Sequence, residues 1–393
     1  MWAGNFCANC AQWLQLLSVG WLVRDLTVSS GSSALLVVSA GGLNTLPILF
    51  LGPWGGVLGD RLSRRNLVMA FQAFMACAAL LFAFLVWSGH VEWWHAYVYV
   101  IIGGSCRAVT HSMRLALVAN TVPREYVVNA VAANVFTIGG TRMIGPFIGG
   151  FLIATLGFFW NFVFESALYA GTVLAFWHMR TPYSFRSAST VRVSPLASLK
   201  EGLRYVWKGE RVIFNLIVLG FIPNAILHPV LFLLPVFTAE VLHGGPGIGG
   251  ILLSTTGLGG FIAALAIASG GFQSRRGFIC LGAIAASSIF AILFSQASWV
   301  VAAMLLVGLM SFAQATFRTT SGSVIQLMTP DALRGRVTSL QQFGQGFLIL
   351  TTLLIGWFAD LTTVVIAIMS IGAMGLGLAI FSGIALPRVR QLA

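Results

Sequence analysis

The residues most able to do chemistry in this sequence are a few ionisable side chains embedded in long apolar stretches. Arg142 lies in GGTRMIGPFIGG (139–150), Arg107 and His111 lie in a second apolar stretch, and Glu165 lies in a third. Placing a charged side chain at the middle of a membrane costs roughly 2.5–3.5 kcal/mol on insertion scales, so such residues are usually kept for function. These four residues are therefore the first candidates for binding a ligand or carrying a proton.

The arginines are spaced so that they share helix faces with other polar residues. Arg107, His111 and Arg114 lie at i, i+4 and i+7, and Arg142 shares a face with Asn134. Because a guanidinium presents a planar fork of hydrogen-bond donors, this spacing predicts a cationic wall that binds an anionic or strongly hydrogen-bonding group.

Each of these residues also has a structural alternative. Arg142 could pair with a backbone carbonyl or with Glu165, Arg114 could reach lipid phosphate at the membrane surface, and His111 could be a neutral, hydrogen-bonded histidine. Glu165 could carry a proton for coupled transport, pair with Arg142, or form a gate near the outer end of its span.

Polar side chains on other apolar segments predict a wet central cavity. These residues are Asn9, Gln12, Asn224, His228 and Gln314. Asn224 and His228 lie between two prolines, which predicts a bent helix with a polar lining. Each of the five could instead hold helices together by hydrogen bonds worth about 0.6 kcal/mol.

The composition places most of the chain in lipid. Of 393 residues, 58% are hydrophobic and 8% are charged, and the mean hydropathy is +0.91. A soluble domain of this length would carry about 25% charged residues, so the bilayer is the predicted partner of most of the surface. The net charge of +12 does not indicate a nucleic-acid partner, because the basic residues are spread through short loops and form no basic face.

The sequence does not predict an enzyme. It contains no His, Asp or Glu cluster with metal-ligand spacing, no nucleophile beside a base and no phosphate-binding P-loop. Cys7 and Cys10 form a C-x-x-C pair, but no βαβ pattern or second Cys/His pair accompanies it, so both are interpreted as small helix-packing residues. No metal and no cofactor is predicted.

Apolar runs of about 20 residues predict twelve membrane-spanning helices, hence an all-α membrane protein with two six-helix pseudo-symmetric halves around a central cavity. The predicted spans are 2–24, 34–58, 66–88, 95–118, 128–154, 158–178, 212–236, 247–269, 277–296, 299–322, 338–359 and 363–385. A monomer is expected.

Charge asymmetry between alternate loops predicts the orientation. One set of loops carries Asp25, Glu92, Glu240 and Asp360, with Arg24 nearly alone as a cation. The other set holds Arg61, Arg64 and Arg65; Arg124; the stretch 180–211; Arg275 and Arg276; Arg334 and Arg336; and Arg388 and Arg390. Because basic loops stay in the cytoplasm, both termini are predicted to be cytoplasmic in a protein of the cell (inner) membrane. The first span lacks a basic n-region, so no cleavable signal peptide is predicted.

The chain divides at its longest loop. We expect an N-terminal six-helix bundle at 1–179, a cytoplasmic linker with an amphipathic helix at 180–211, and a C-terminal six-helix bundle at 212–393. LSRRNLVM (62–69) corresponds to QSRRGFIC (273–280) in the second half. Such a repeat is typical of transporters, with the site between the halves, although a channel or an assembly factor would also fit.

GGVLGDRLSRR (55–65) resembles the loop 2–3 motif of the major facilitator superfamily. The matching residues include Gly56, Asp60, Arg61, Arg64 and Arg65, and Ser63 stands where the family has glycine. The resemblance implies a cytoplasmic gate in which a carboxylate and arginines bind a neighbouring helix end in one state and release it in the other. Arg114 and Arg318 are added to this gate as basic residues near the same side of the membrane.

GPFIGG (145–150) resembles the fifth-span motif of superfamily exporters and antiporters. Gly145, Gly149 and Gly150 predict a flat stripe for close helix packing. Pro146 removes a backbone hydrogen bond and predicts a kink at a defined depth.

Within the superfamily the sequence resembles the transmembrane secretion effector group, which includes enterobactin-exporter-like and macrolide-efflux-like proteins. The resemblance is carried by WLVRDLT (21–27), TRMIGPFIGG (141–150) and TPDALRGRVTSL (329–340). It implies secondary active export of an organic solute, anionic or siderophore-like, by alternating access with proton antiport. The alternatives are a lipid or amphiphile translocator and a non-transporting sensor or scaffold with the same fold.

Overall fold

The computed structural model describes residues 1–28, 33–179, 195–208, 211–270, 275–330, 333, 336–338, 340 and 348–390, and these residues are almost entirely helical. Up to residue 179 the helices are α1 (Trp2–Thr27), α2 (Ser33–Leu43), α3 (Leu46–Arg61), α4 (Arg64–Trp87), α5 (Trp93–Asn120), α6 (Val127–Leu156) and α7 (Phe158–Trp177), with a 3-10 turn at Arg124–Tyr126 before α6. The later helices are α8 (Pro195–Lys208), α9 (Arg211–Glu240), α10 (Pro246–Ala268), α11 (Arg276–Ser295), α12 (Val300–Met328), α13 (Leu348–Leu361), α14 (Val364–Ala385) and the short α15 (Pro387–Arg390).

Within the described residues, eight helical segments are long and apolar enough to cross a membrane, and one of them, Ala34–Gly52, joins α2 to the first part of α3. Helices α1, α5 and α7 have 26, 28 and 20 residues but carry more polar side chains. The predicted span 338–359 is described as a helix only from Leu348, and most of its first part lies outside the described residues.

The predicted second span is long and apolar enough to cross a membrane over Ala34–Gly52, but the chain turns at Asn44 and Thr45 and divides it into α2 and α3. Pro47 lies at the start of α3, where it has no N–H to donate to the preceding turn. The residue before a proline also disfavours the helical conformation, so the break has a local cause. The hydroxyl of Thr45 donates to Gly42 O at 2.8 Å and closes the turn.

The two ends of the molecule differ in charge, and they are named here for that difference. The acidic end carries Asp25, Glu92, Glu240 and Asp360. The basic end carries Arg64, Arg65, Arg211, Arg276 and Arg390. Successive long helices run between these ends in alternating directions, as the positions of these residues at helix starts and ends require.

Helices α1 to α7 pack on one another, with α1 against α6 and α7, α4 against α7, and α3 against α5. In the later part of the chain α12 packs between α10 and α11, and α14 packs on α11 and α9. The two groups meet where α6 contacts α10 and where α2 contacts α13 and α9. Helix α8 packs on α9 and buries Val206, while Leu203 and Trp207 are exposed.

Candidate functional site

Helix α6 carries glycines on two faces, and the first face packs against α1. A Cβ at Gly145 would lie 2.9 Å from Cys10 O, and a Cβ at Gly149 would lie 3.2 Å from Cγ of Leu14. These residues have no room for a side chain, so glycine lets the two helices approach closely.

The second glycine face of α6 packs against α10. A Cβ at Gly150 would lie 2.8 Å from Cα of Gly250, and a Cβ at Gly250 would lie 2.6 Å from Pro146 O. Helix α6 continues through Pro146 without a break, so the proline does not divide the helix. The GPFIGG stretch therefore works in this structure as a close-packing surface, and it fixes the height of Arg142 one turn away.

Arg142 projects toward α1, where its guanidinium lies 5.0 Å from the ring centroid of Trp13. A cation over an aromatic face is an attractive contact, but it leaves the N–H donors of the guanidinium without acceptors. Nε of Arg142 is buried and has no hydrogen-bond partner within the described part of the chain. The alternative that Arg142 pairs with Glu165 is wrong, because Glu165 bonds to Tyr99 instead.

Three arginines from both halves of the chain lie within electrostatic range of His228. The positive charges of Arg142, Arg318 and Arg107 all act on this histidine, and the charge of Arg318 also acts on Arg142. No carboxylate among the described residues offsets these charges at His228 or Arg142. Arg318, predicted as a gate residue, is exposed and belongs to this group. A concentrated positive field without a counter-charge favours an anionic ligand.

Helix α5 supplies the other predicted cations at this site. Nη2 of Arg107 donates to Asn44 O at 3.5 Å, at the turn between α2 and α3, while its Nε is buried without a partner among the described residues. His111 is exposed. Arg114 is 4% exposed, so the alternative that it reaches lipid phosphate is wrong.

The predicted polar residues of α1 and α6 divide into two groups. Nδ2 of Asn5 donates to Oδ1 of Asn134 at 2.8 Å, and both residues are buried. Asn134 therefore joins α6 to α1 and does not face an open cavity. Asn9 and Gln12 are half-buried on α1.

The predicted residues of α9 and α12 are joined to one another. Nε2 of Gln314 donates to Pro223 O at 2.9 Å and to Oδ1 of Asn224 at 3.3 Å. Asn224 Nδ2 donates to Gly220 O, and the ring Nδ1 of His228 lies 3.2 Å from Asn224 O. These bonds hold the proline-rich part of α9 against α12 and fix the position of His228.

Glu165 lies inside the first helix group and not at the interface between the groups. It is 0% exposed, its Oε1 accepts a 2.7 Å hydrogen bond from the Tyr99 hydroxyl, and its Oε2 is buried without a partner among the described residues. The ring of Tyr99 stacks on Phe82 at 4.5 Å. A carboxyl group in such apolar surroundings is stable only when it is neutral or paired.

Three members of the predicted cytoplasmic gate lie in the C-terminal part of α3. Gly56, Asp60 and Arg61 lie in the described helix α3, but their side chains lie outside the described part of the structure. The gate built on Asp60 stays a prediction.

The two arginines after Asp60 bind neighbouring helix ends within the first helix group. Nε of Arg64 donates to Gly59 O at 3.1 Å. Nε of Arg65 donates to Phe176 O at 2.8 Å, and its Nη2 donates to Trp177 O. Arg65 thus caps the C-terminus of α7, where a cation interacts favourably with unpaired carbonyls.

Three functional candidates have no distinguishing pattern in the sequence. Trp13 resembles any core aromatic, Tyr99 lies in an aromatic-rich span, and Asp360 resembles any acidic residue at the end of a span. In the structure Asp360 binds the start of α2, with its Oδ1 accepting from Ala34 N and its Oδ2 from Leu35 N, each at 3.0 Å. Among the described residues no group of three His, Cys, Asp or Glu could hold a metal ion.

The helix arrangement matches that of solved transporters. The structure is similar to a D-xylose–proton symporter with a TM-score of 0.72 and 16% sequence identity, over 96% of this chain and 95% of that chain. The fold is therefore the twelve-helix arrangement of the major facilitator superfamily.

The chain belongs to the transmembrane secretion effector family, whose model matches residues 1–393. It is 24% identical over 376 residues to a staphyloferrin A transporter of Staphylococcus aureus, covering 92% of this chain and 89% of that protein. It is 25% identical over 341 residues to an enterobactin exporter of Escherichia coli, covering 84% and 79% respectively. The family expected from the sequence is confirmed, and the protein is therefore a multi-pass membrane transporter of organic solutes and not an enzyme.

Proposed function

We propose that this protein exports an anionic organic solute across the cell (inner) membrane by alternating access. The observation that carries the proposal is a group of three arginines, Arg107, Arg142 and Arg318, whose charges act on His228 with no offsetting carboxylate among the described residues. Nε of Arg107 and Nε of Arg142 also lack acceptors among those residues, and such donors suit a carboxylate or a hydroxyl-rich anion. The two relatives are named as a transporter of staphyloferrin A and an exporter of enterobactin, which supports a siderophore-like solute.

In this proposal the halves 1–179 and 212–393 rock around the arginine site. The structure is then the state that is closed at the acidic end, where α6 packs on α10 and α2 on α13. Basic loops remain in the cytoplasm, so the acidic end faces outward and both termini are cytoplasmic. The solute enters the site from the basic end, where Arg318 and His111 are exposed.

The energy source in this proposal is the proton gradient, with Glu165 as the proton carrier. A fully buried carboxyl with one neutral hydrogen bond and no cation on it is held in the protonated form. A change in helix packing that admits water or a cation would let the proton leave. Such a change accompanies the rocking of the halves.

The first test compares metabolites in cells and medium for a deletion strain, a wild-type complement and an Arg142→Ala complement, under iron-replete and iron-starved growth. We expect one anionic solute to be retained at least tenfold in the deletion and in Arg142→Ala, because loss of a charged hydrogen-bond donor costs about 1.5–3 kcal/mol. Arg211→Ala, which removes an exposed arginine at the start of α9, is the matched control and should export normally.

The proposal fails if no solute distinguishes the deletion from wild type, and lipid translocation or a scaffold role then moves ahead. Normal release by Arg142→Ala would make Arg142 a structural residue. Similar losses in Arg142→Ala and Arg211→Ala would point to reduced protein in the membrane, which an immunoblot of membrane fractions detects.

The second test concerns proton coupling. In energised inside-out vesicles, the solute identified above should dissipate the pH gradient when the wild-type protein is present. Glu165→Gln keeps the shape of the protonated carboxyl but cannot release a proton, so we expect no dissipation. Glu125→Gln removes an exposed acid before α6 and is the control. Full dissipation by Glu165→Gln would remove Glu165 from the coupling step while leaving solute export intact.

A further inference from the structure

Asp360 joins the two halves of the molecule at the acidic end. It lies one residue before the end of α13, and its two carboxylate oxygens accept hydrogen bonds from the backbone N–H groups of Ala34 and Leu35, each at 3.0 Å. These donors belong to the first turn of α2, whose N–H groups have no partner within the helix. A carboxylate of one half thus caps a helix of the other half.

This contact is stronger than its two distances alone suggest. Hydrogen bonds to an ionised carboxylate are roughly twice as strong as neutral ones. The N-terminus of a helix carries partial positive charge, so an anion is favourable there. Local serines commonly cap helices, and the sequence before α2 contains Ser29, Ser30 and Ser32. A cap from a residue more than 300 positions away is therefore not required for helix formation alone.

Next to Asp360, helices α2 and α13 pack closely against each other. A Cβ at Gly356, one turn earlier in α13, would lie 3.1 Å from Cα of Leu35 and 3.2 Å from Cβ of Val38. Further along the same interface, a Cβ at Gly42 would lie 3.2 Å from Ile349. The helices therefore cannot separate at the acidic end while the carboxylate stays on α2.

Asp360 is also placed where release is possible. It is half-buried at the membrane end of α13, so separation of the helices would return its carboxylate to water. The charge of Asp360 acts on Glu240, and the charge of Arg24 acts on Glu240 in the opposite direction. Opening would replace the charge-assisted hydrogen bonds of the carboxylate by hydrogen bonds to water. The free-energy difference between the closed and open states is therefore small, as a reversible gate requires.

We propose that Asp360 is the gating residue of the acidic end: it binds the N-terminus of α2 when that end is closed and releases it when that end opens. The proposal rests on alternating access, but it does not depend on the identity of the solute or of the coupling ion. It makes Asp360 the counterpart, at the opposite end, of the gate predicted at Asp60.

The experiment measures distances between spin labels at Val28→Cys and Leu361→Cys, two exposed positions on opposite halves at the acidic end. The background has Cys7, Cys10, Cys77, Cys106 and Cys280 replaced by alanine. In wild type we expect a short-distance population and a smaller long-distance population. Asp360→Asn should raise the ratio of long to short distances about three- to tenfold, as expected for an anion at a helix N-terminus. Asp360→Glu should restore part of the closed population.

The control is Asp25→Asn, which removes an acidic-end carboxylate that binds Arg24 and not α2. It should leave the distance distribution unchanged. Thermal unfolding of each variant separates gating from capping. A lower melting temperature for Asp360→Asn with an unchanged distribution would overturn the proposal and leave Asp360 a structural cap. A single population in every variant, wild type included, would instead count against alternating access itself.

Discussion

The two interfaces that close the acidic end are built by different means. Between α2 and α13 the Asp360 carboxylate accepts hydrogen bonds from two backbone N–H groups of α2. Between α6 and α10 the contact is glycine on glycine, with a Cβ at Gly150 lying 2.8 Å from Cα of Gly250. In the first interface a charged contact is added to close packing at Gly356 and Gly42, whereas the second interface is close packing of glycines.

This difference separates two properties that a transporter must combine. The α6–α10 interface adjoins the arginine site, because a Cβ at Gly257 of α10 would lie 2.7 Å from the backbone carbon of Arg142. Close packing there keeps the site in one geometry. In the α2–α13 interface the Asp360 contact lies at the start of α2, whereas Arg107 contacts Asn44 just after the other end of that helix, and the polar contact of Asp360 can be exchanged for water. In the proposed transport cycle, close packing therefore positions the site, and the Asp360 charge sets the balance between closed and open states.

The largest expected effect comes from adding one methyl group to the glycine interface. In Gly250→Ala the new Cβ would meet the backbone oxygen of Pro146 at 2.6 Å, and a backbone atom cannot turn away. Overpacking of this kind costs typically about 1–3 kcal/mol, so the closed population should fall by up to about 100-fold. The measurement is the distance between spin labels at Leu156→Cys and Gly245→Cys, on opposite sides of this interface.

Gly140→Ala is the matched control for Gly250→Ala. It adds the same methyl group to α6, at a position where no atom lies within 4 Å of the new Cβ. It should leave the distance distribution as in wild type. Equal distributions for Gly250→Ala and Gly140→Ala would show that glycine packing does not hold this interface closed, and the contrast between the two interfaces would be lost.

Much of the fold was predictable because hydropathy and loop charge are averaged over many residues. Most of the predicted spans overlap helices of the structure, and the halfway linker carries a helix at Pro195–Lys208. The break at Asn44 was missed because the segment 34–58 is apolar when its hydropathy is averaged. The residue that indicates the break is Pro47, and a single residue has little effect on a hydropathy average over 20 residues.

The candidate site was less predictable, because it depends on which helix faces meet. Helical spacing places Arg107 and His111 on one face of α5, but it could not reveal that the charge of Arg318 of α12 acts on Arg142 of α6. Asn134 was predicted to line the cavity, yet it bonds to Asn5, since an amide on a helix face serves packing as readily as binding. Asp360 shows the same limit, because a charge at the end of a span does not reveal the helix that it caps.

The smallest expected effect, and the sharpest test of the contrast between charge and volume, is the response to salt. Raising the ionic strength from about 0.01 M to about 1 M shortens the Debye length from about 30 Å to about 3 Å. Screening should weaken the half-exposed Asp360 contact and shift the Val28–Leu361 label pair toward longer distances by less than about threefold. The Leu156–Gly245 pair should not respond, since no charge lies in the glycine contact between α6 and α10. Asp360→Asn is the internal control, because without its carboxylate the first label pair should lose its salt response.

Two outcomes would contradict this prediction. A salt shift that persists in Asp360→Asn would assign the electrostatic part of closure to other groups at the acidic end. Equal shifts in both label pairs would mean that the two interfaces open together and that the carboxylate does not set the balance alone.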